Sequence, residues 1–124
     1  MTIAKKHSID IYFLDMKPNT PDVSSPKDKI VIMNNGFSNK ATFVYRLAHE
    51  LSHVLYGDSD AQAVYQFSEY GKRGEELLAH RNAIRLLMSI EFPTSVHSFM
   101  EYYRIPYWLE SDASKTFLEF NTVE

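Results

Sequence analysis

One stretch constrains this chain more than any other: Arg46-Leu47-Ala48-His49-Glu50-Leu51-Ser52-His53-Val54-Leu55, which carries a single H-E-x-x-H pattern. With so few histidines in 124 residues, chance alone would produce the pattern roughly 0.01 times in such a chain. On an α-helix four residues span ~400° of rotation and ~6 Å of rise, so His49 and His53 fall on one face, one turn apart. Two imidazoles so placed can grip one metal ion. Glu50, ~100° round from His49, stands beside that ion, where a carboxylate can take a proton from water held there. That is a metallopeptidase arrangement. On a helical wheel Phe43, Val44, Leu47, Ala48, Leu51, Val54 and Leu55 lie away from the histidines, while Thr42, Tyr45 and Tyr56 share their side. The stretch predicts a helix with a core-facing back and a chemical front. The bland alternative is an amphipathic helix with two solvated histidines. Ser38 or Asn39 can cap the helix and Gly57 can stop it, which bounds it at 40 to 56.

The length suits a single domain over residues 1–124 with one real core, and 44% hydrophobic with 23% charged residues is globular rather than disordered. A formal net charge of -3 and a pI near 5.9 argue against a dedicated nucleic-acid surface, which needs clustered Lys and Arg. With no cysteine, any metal site must use His and carboxylates, in keeping with a reducing cytoplasm. The N-terminus shows no apolar signal segment, and no run approaches the ~20 apolar residues a membrane span needs. A cytoplasmic protein without a membrane partner is the expectation.

Ahead of the motif helix, Ile9, Ile11 and Phe13 alternate with polar neighbours, predicting a strand over roughly 8 to 14. The proline-rich segment Lys17 to Pro26 reads as a loop. Ile30-Val31-Ile32-Met33, ended by Asn34-Asn35-Gly36, reads as a second strand paired with the first, its outer edge open to an extended peptide. Beyond Gly57 a connection runs to Gly74, with a short helical turn expected between Ala61 and Phe67. A helix begins near Gly74 or Glu75 and stops before Pro93, with Ala79 and Ala83 as a small-residue face. Thr94 can cap a helix to about Tyr103, Ile105-Pro106 breaks it, and Trp108 to Phe120 gives a last one. Helix, break, helix could suggest a DNA reader, yet the last helix is acidic through Glu110, Asp112 and Glu119. Its apolar residues Trp108, Leu109, Phe117, Leu118 and Phe120 are expected to wrap the back of the motif helix. The predicted class is α+β: a small, mostly helical, zincin-like domain with a two- to three-stranded sheet packed on the motif helix.

A catalytic zinc usually takes three protein ligands. The helix from Gly74 offers Glu75, Glu76 and His80. Relative to the face set by Ala79, Ala83, Leu86 and Ile90, both glutamates lie within ~60° and His80 ~90° away, so geometry favours a glutamate without choosing which.

Over residues ~30 to 90 the sequence resembles the ImmA/IrrE-like metallopeptidases of phages, mobile elements and bacterial stress regulators. Their pattern is a strand, then A-H-E-[LIF]-G-H-x-[LI], a variable connection, and E-x-x-A-[ND] opening a small-residue helix. Here these are Ala48-His49-Glu50-Leu51-Ser52-His53-Val54-Leu55 and Glu76-Leu77-Leu78-Ala79-His80. The resemblance implies Zn²⁺ on His49, His53 and Glu76, with Glu50 as general base and Glu75 as a helix N-terminal charge. Ser52 replaces the usual glycine and His80 the usual Asn or Asp. His80 could orient a ligand, join the metal or face solvent. Tyr45, Tyr56, Tyr65 and His97 are candidates for a hydrogen-bond donor to the oxyanion. By the same resemblance the substrate is a protein, a repressor of the helix-turn-helix type, cleaved to relieve repression in a bacterial or phage-infected cell. The alternative is a zinc-binding anti-repressor or toxin module that acts by contact with little or no turnover.

Overall fold

The chain begins with a short helix, α1 (Thr2–Lys6), where no element was expected, and runs into β1 (Asp10–Leu14), β2 (Val23–Ser25) and β3 (Ile30–Asn34). The motif helix α2 (Phe43–Tyr56) follows, then β4 (Tyr65–Gln66), α3 (Gly74–Ile90), α4 (Val96–Tyr103), a 3-10 turn at Tyr107–Leu109 and α5 (Glu110–Thr122). The computed structural model describes residues 2–57 and 63–122. The class is α+β with a four-stranded mixed sheet.

Strand order is β1-β3-β2-β4, with β1 parallel to β3 and the other two pairings antiparallel. The first two expected strands do pair, with Asp10 opposite Ile30 and Leu14 opposite Asn34. The expected loop from 17 to 26, however, contains β2. Pro21 and Pro26 flank that strand instead of interrupting it, and Val23, Ser24 and Ser25 pair with β3 and in part with β4. β3 therefore has a neighbour on either side, and its near-continuous apolar run suits a central strand. Among the described residues the open edges belong to β1 and β4, not to the outer side of β3. β4 also stands where a helical turn was expected, in part, since residues 61 and 62 lie outside the described residues.

Helix α2 starts at Phe43, later than the Ser38 or Asn39 cap implied. Thr42 is the cap, its side chain accepting from the Tyr45 N–H at 3.3 Å. Asn39 instead accepts from the Ala41 N–H at 2.9 Å. At the other end the Gly57 N–H donates to the His53 carbonyl at 2.9 Å, and a Cβ on Gly57 would stand 2.3 Å from that oxygen. Ser95 rather than Thr94 caps α4.

The helix is a middle layer. On one side Leu51 joins Ala4, Ile9, Val31 and Met33, with Phe43, Leu47, Val54 and Leu55 packed around them. On the other Tyr45 and Ala48 meet Ala83, Ile84, Leu87 and Met88 of α3, with Phe99, Leu109 and Ala113 behind. The expected division into apolar back and chemical front fails in its detail. Tyr45 through His53 are buried except Leu47, whereas Val44 is half exposed. Ala79 and Ala83 on α3 are buried and let that helix lie against α2. Helix α5 packs on α3 and α4; Leu109 and Ala113 are buried in the core that also holds Tyr45 and Ala48, Trp108, Phe117 and Phe120 pack against it partly buried, and Leu118 is exposed. No helix among the described residues is long and apolar enough to cross a membrane.

Candidate metal centre

His49, Glu50 and His53 are all buried, with one ligand atom from each lying within 4.8 Å of the others, a group that could hold a metal ion. The bland picture of two solvated histidines does not hold. Burying three ionisable side chains together costs several kcal/mol unless they are paired or bind an ion.

Glu76 enters from the first turn of α3. Its carboxylate oxygens stand 3.2 Å from His53 Nε2, and one of them is 3.4 Å from His49 Nε2. These spacings are long for a charge-assisted hydrogen bond, which runs ~2.7–2.9 Å. They match the ~3.3 Å separation of two ligands held ~2.0–2.1 Å from one tetrahedral ion. Glu50 meets His49 from the opposite side of the ring, its Oε2 lying 2.9 Å from Nδ1. Two carboxylates thus flank His49. Glu76 faces the Nε2 atoms of both rings, which makes it the stronger candidate for a third ligand, and Glu50 is placed to orient the ring. Three buried atoms in this cluster lack a hydrogen-bond partner: His49 Nε2, His53 Nδ1 and Glu50 Oε1. An imidazole, imidazole, carboxylate set converging on one point, with His49 Nε2 left without a hydrogen bond, is chemically suited to Zn²⁺.

The charges reinforce one another. Burial disfavours the charged form of His49, but its hydrogen bond to Glu50 and the attraction of the nearby Glu50 and Glu76 carboxylates outweigh it and raise its pKa to about 9. Burial pushes Glu76 up, but the two histidines overcome it and hold the carboxyl at about 2. Glu50 is raised above the usual carboxylate range, chiefly by burial, against the pull of His49.

His80 faces neither solvent nor an ion. It is fully buried, with Nε2 donating to the Ser68 carbonyl at 2.8 Å. A carbonyl can only accept, so Nδ1 is the acceptor for the Tyr45 hydroxyl, 2.7 Å away. Both nitrogens are occupied, and burial first, then the charge of His49, lowers its pKa to about 3. The neutral ring packs with its centroid 4.3 Å from that of His49. His80 therefore packs against the His49 ring and limits its movement. The same bond removes the Tyr45 hydroxyl from the list of oxyanion donors.

Of the remaining oxyanion candidates, Tyr65 lies at the centre while Tyr56 and His97 lie away from it. Tyr65, on β4, stacks on the His53 ring at 4.2 Å, 5° from parallel. Tyr56 is exposed at the end of α2. His97 lies on the surface of α4, paired with Glu101 at 2.9 Å. Glu75 occupies the first turn of α3, and among the described residues it is Glu76, not Glu75, that pairs with the two histidines. Ser52 donates to the Ala48 carbonyl at 2.7 Å and fills the position of the usual glycine without strain.

Sequence reasoning missed three supports. Ser24 on β2 is buried near Glu50 and favours its charged form, although its hydroxyl makes no hydrogen bond of ordinary geometry. Asp22 and Arg46 form a buried pair at 3.3 Å, with Asp22 also accepting from the Asn34 N–H at 2.9 Å. Gly71 abuts the third-ligand candidate, since a Cβ there would stand 2.5 Å from the Glu76 Cβ. Ser24 and Asp22 lie inside the proline-rich stretch, where no local pattern marks them.

No family model matches the chain, and neither curated proteins nor solved structures show a match. The likeness to ImmA/IrrE-like metallopeptidases rests on the two motifs alone.

Proposed function

We propose that this protein is a zinc-dependent, zincin-like metallopeptidase that hydrolyses a peptide bond in a protein substrate. The observation that carries the reading is the approach of one Glu76 carboxylate to Nε2 of both His49 and His53, at 3.2–3.4 Å. His49, His53 and Glu76 would hold the ion. Zinc bound there supplies a Lewis acid that polarises a carbonyl and lowers the pKa of water towards ~7. Glu50 keeps Oε2 on Nδ1 of His49, the side of the ring away from Glu76, and leaves Oε1 without a hydrogen bond; as the base of this reading it would turn toward the Nε2 side to take a proton from water through Oε1 and return it to the leaving amine. Burial has raised its pKa, which suits a group that must both take and give a proton. His80 and Glu50 fix the His49 ring from two sides, and Tyr65 backs the His53 ring. By the motif resemblance, a helix-turn-helix repressor inside a bacterial or phage-infected cell is the substrate class we propose.

One observation favours a second reading, a metal-holding module that inactivates its partner by contact. Glu50 has no solvent exposure and its Oε2 is committed to His49. Glu50→Gln separates the two. The variant should retain zinc and fold while losing at least ~100-fold in cleavage of a peptide or repressor substrate. Full relief of repression by Glu50→Gln in a reporter strain would rule out the peptidase mechanism and support the contact module.

A further inference from the structure

A hollow of about 660 Å³ lies two rings away from the metal centre, beyond Trp108. The indole packs 5.5 Å from the His80 ring, which in turn packs on His49. Two long-range hydrogen bonds build the hollow. The Thr42 N–H donates to the Tyr103 carbonyl at 3.0 Å, bringing the start of α2 against the end of α4 and so Lys40 near Arg104. Trp108 Nε1 donates to the Glu69 carbonyl at 2.7 Å, drawing the segment after β4 onto the 3-10 turn.

The lining combines two features rarely left idle. Tyr70 and Tyr107 expose 73% and 81% of their surface beside the indole, far more than a large aromatic needs for folding alone. Lys40 and Arg104 line the same hollow with no carboxylate partner among the described residues, while Lys72 sits 5.3 Å over the Trp108 ring. Glu69 is the one acidic side chain of the lining, so the cations are in excess. Arg104 is held in the left-handed region at φ 53°, with its N–H bonded to the Glu101 and Met100 carbonyls. A non-glycine residue there is uncommon, and the fold fixes the point from which its guanidinium projects.

We propose that this hollow binds a peptide segment in which an aromatic side chain neighbours a carboxylate. The rings take the apolar side chain, and Lys40 and Arg104 take the negative charge. The choice of a peptide as occupant rests on the peptidase reading, for which the hollow would be the specificity pocket. The excess of positive charge and the aromatic walls are independent of it.

Trp108 is the only tryptophan, so its fluorescence, excited at a wavelength that neither Phe nor Tyr absorbs, reports on the pocket directly. The full chain would be titrated with acetyl-Phe-Asp-amide and with acetyl-Phe-Asn-amide. The expected result is a saturable change, with the Asp peptide binding about tenfold more tightly and losing that advantage in high salt. Arg104→Gly suits the left-handed backbone and removes one of the two cations, so it should fold and lose most of the preference for the Asp peptide, with Lys40 supplying the remainder. Tyr107→Ala should weaken both. Equal binding of the two peptides by the wild-type chain, no saturable change, or undiminished discrimination in Arg104→Gly would each overturn the proposal. So would tighter saturation by adenosine monophosphate, which would give the pocket to a nucleotide. Glu50→Gln should bind the Asp peptide as the wild type does. Binding retained in a chain that proves to have no peptidase activity leaves the pocket standing and removes only the peptidase reading.

Discussion

The contact between Tyr45 and His80 offers a sharp test of how the metal centre is supported. The hydroxyl of Tyr45 and Nδ1 of His80 meet at 2.7 Å, both side chains fully buried. Tyr45→Phe deletes one oxygen, leaves almost no cavity and strands Nδ1 where water does not reach. An unsatisfied buried acceptor costs about 1–3 kcal/mol, and for a chain of this size each kcal/mol lowers Tm by roughly 3–4 °C. The expected drop is therefore about 3–12 °C, or the matching fall in urea midpoint at unchanged slope. His80→Leu makes the complementary break, stranding the Tyr45 hydroxyl and the Ser68 carbonyl. Since both changes destroy the same bond, the double variant should be less damaged than the sum of the singles, with a coupling of about 1 kcal/mol. The assay is chemical denaturation of all four proteins at pH 7. Additivity within about 0.3 kcal/mol, or a Tyr45→Phe protein as stable as the wild type, would refute the bond and the fixed tautomer inferred from it.

Removing Asp22 should be costlier than any surface change. Asp22→Ala leaves Arg46 buried without its partner, and a loss of about 3–5 kcal/mol is expected in the same denaturation assay. Gly71→Ala should act on the metal rather than on the core, because the new methyl displaces Glu76 at its root. Zinc affinity measured against a competing chelator should fall by about tenfold or more, as in Glu76→Ala, while Glu75→Ala stays near wild type. Each buried group sets its own sign in the pH dependence of the metal-free protein. Glu76 is held at about 2, below its ordinary 4.5, so its contribution is complete above pH 4.5 and disappears as pH falls through 2. His49 is raised from 6.5 to about 9, so its contribution is complete below pH 6.5 and disappears as pH rises through 9. His80, lowered to about 3, adds a loss of stability as pH falls below 6.5, because the unfolded chain then binds a proton the native one refuses. Glu50, raised by burial, works the other way on the acid side, so the expectation rests on the alkaline one: Tm should fall from pH 6.5 towards 9, and an unchanged Tm over that range would contradict the environment of His49.

Local chemistry determined a good part of this protein. The 3.6-residue period and the four-residue spacing put His49 and His53 on one face of a helix, and Gly57 ended it, because a helix repeats its geometry within a dozen residues. The α+β class and the pairing of the first two strands were also readable, from alternation and from the apolar run at Ile30–Met33. Tertiary structure decided what periodicity cannot encode. β2 lies in a proline-rich stretch because its neighbours in the sheet supply partners that no local propensity requires. Motif helix α2 is buried nearly all round because a sheet covers one side and α3 the other, so its polar front became an interior. Glu76 rather than Glu75 reaches both rings, and His80 turns inward to Ser68 and Tyr45, because the packing of α3 on α2 sets rotations finer than a helical wheel resolves. The pairing of Asp22 with Arg46 and the approach of Gly71 to Glu76 join residues far apart in the chain. Their energies depend on distances of a few ångströms that only the folded backbone brings about.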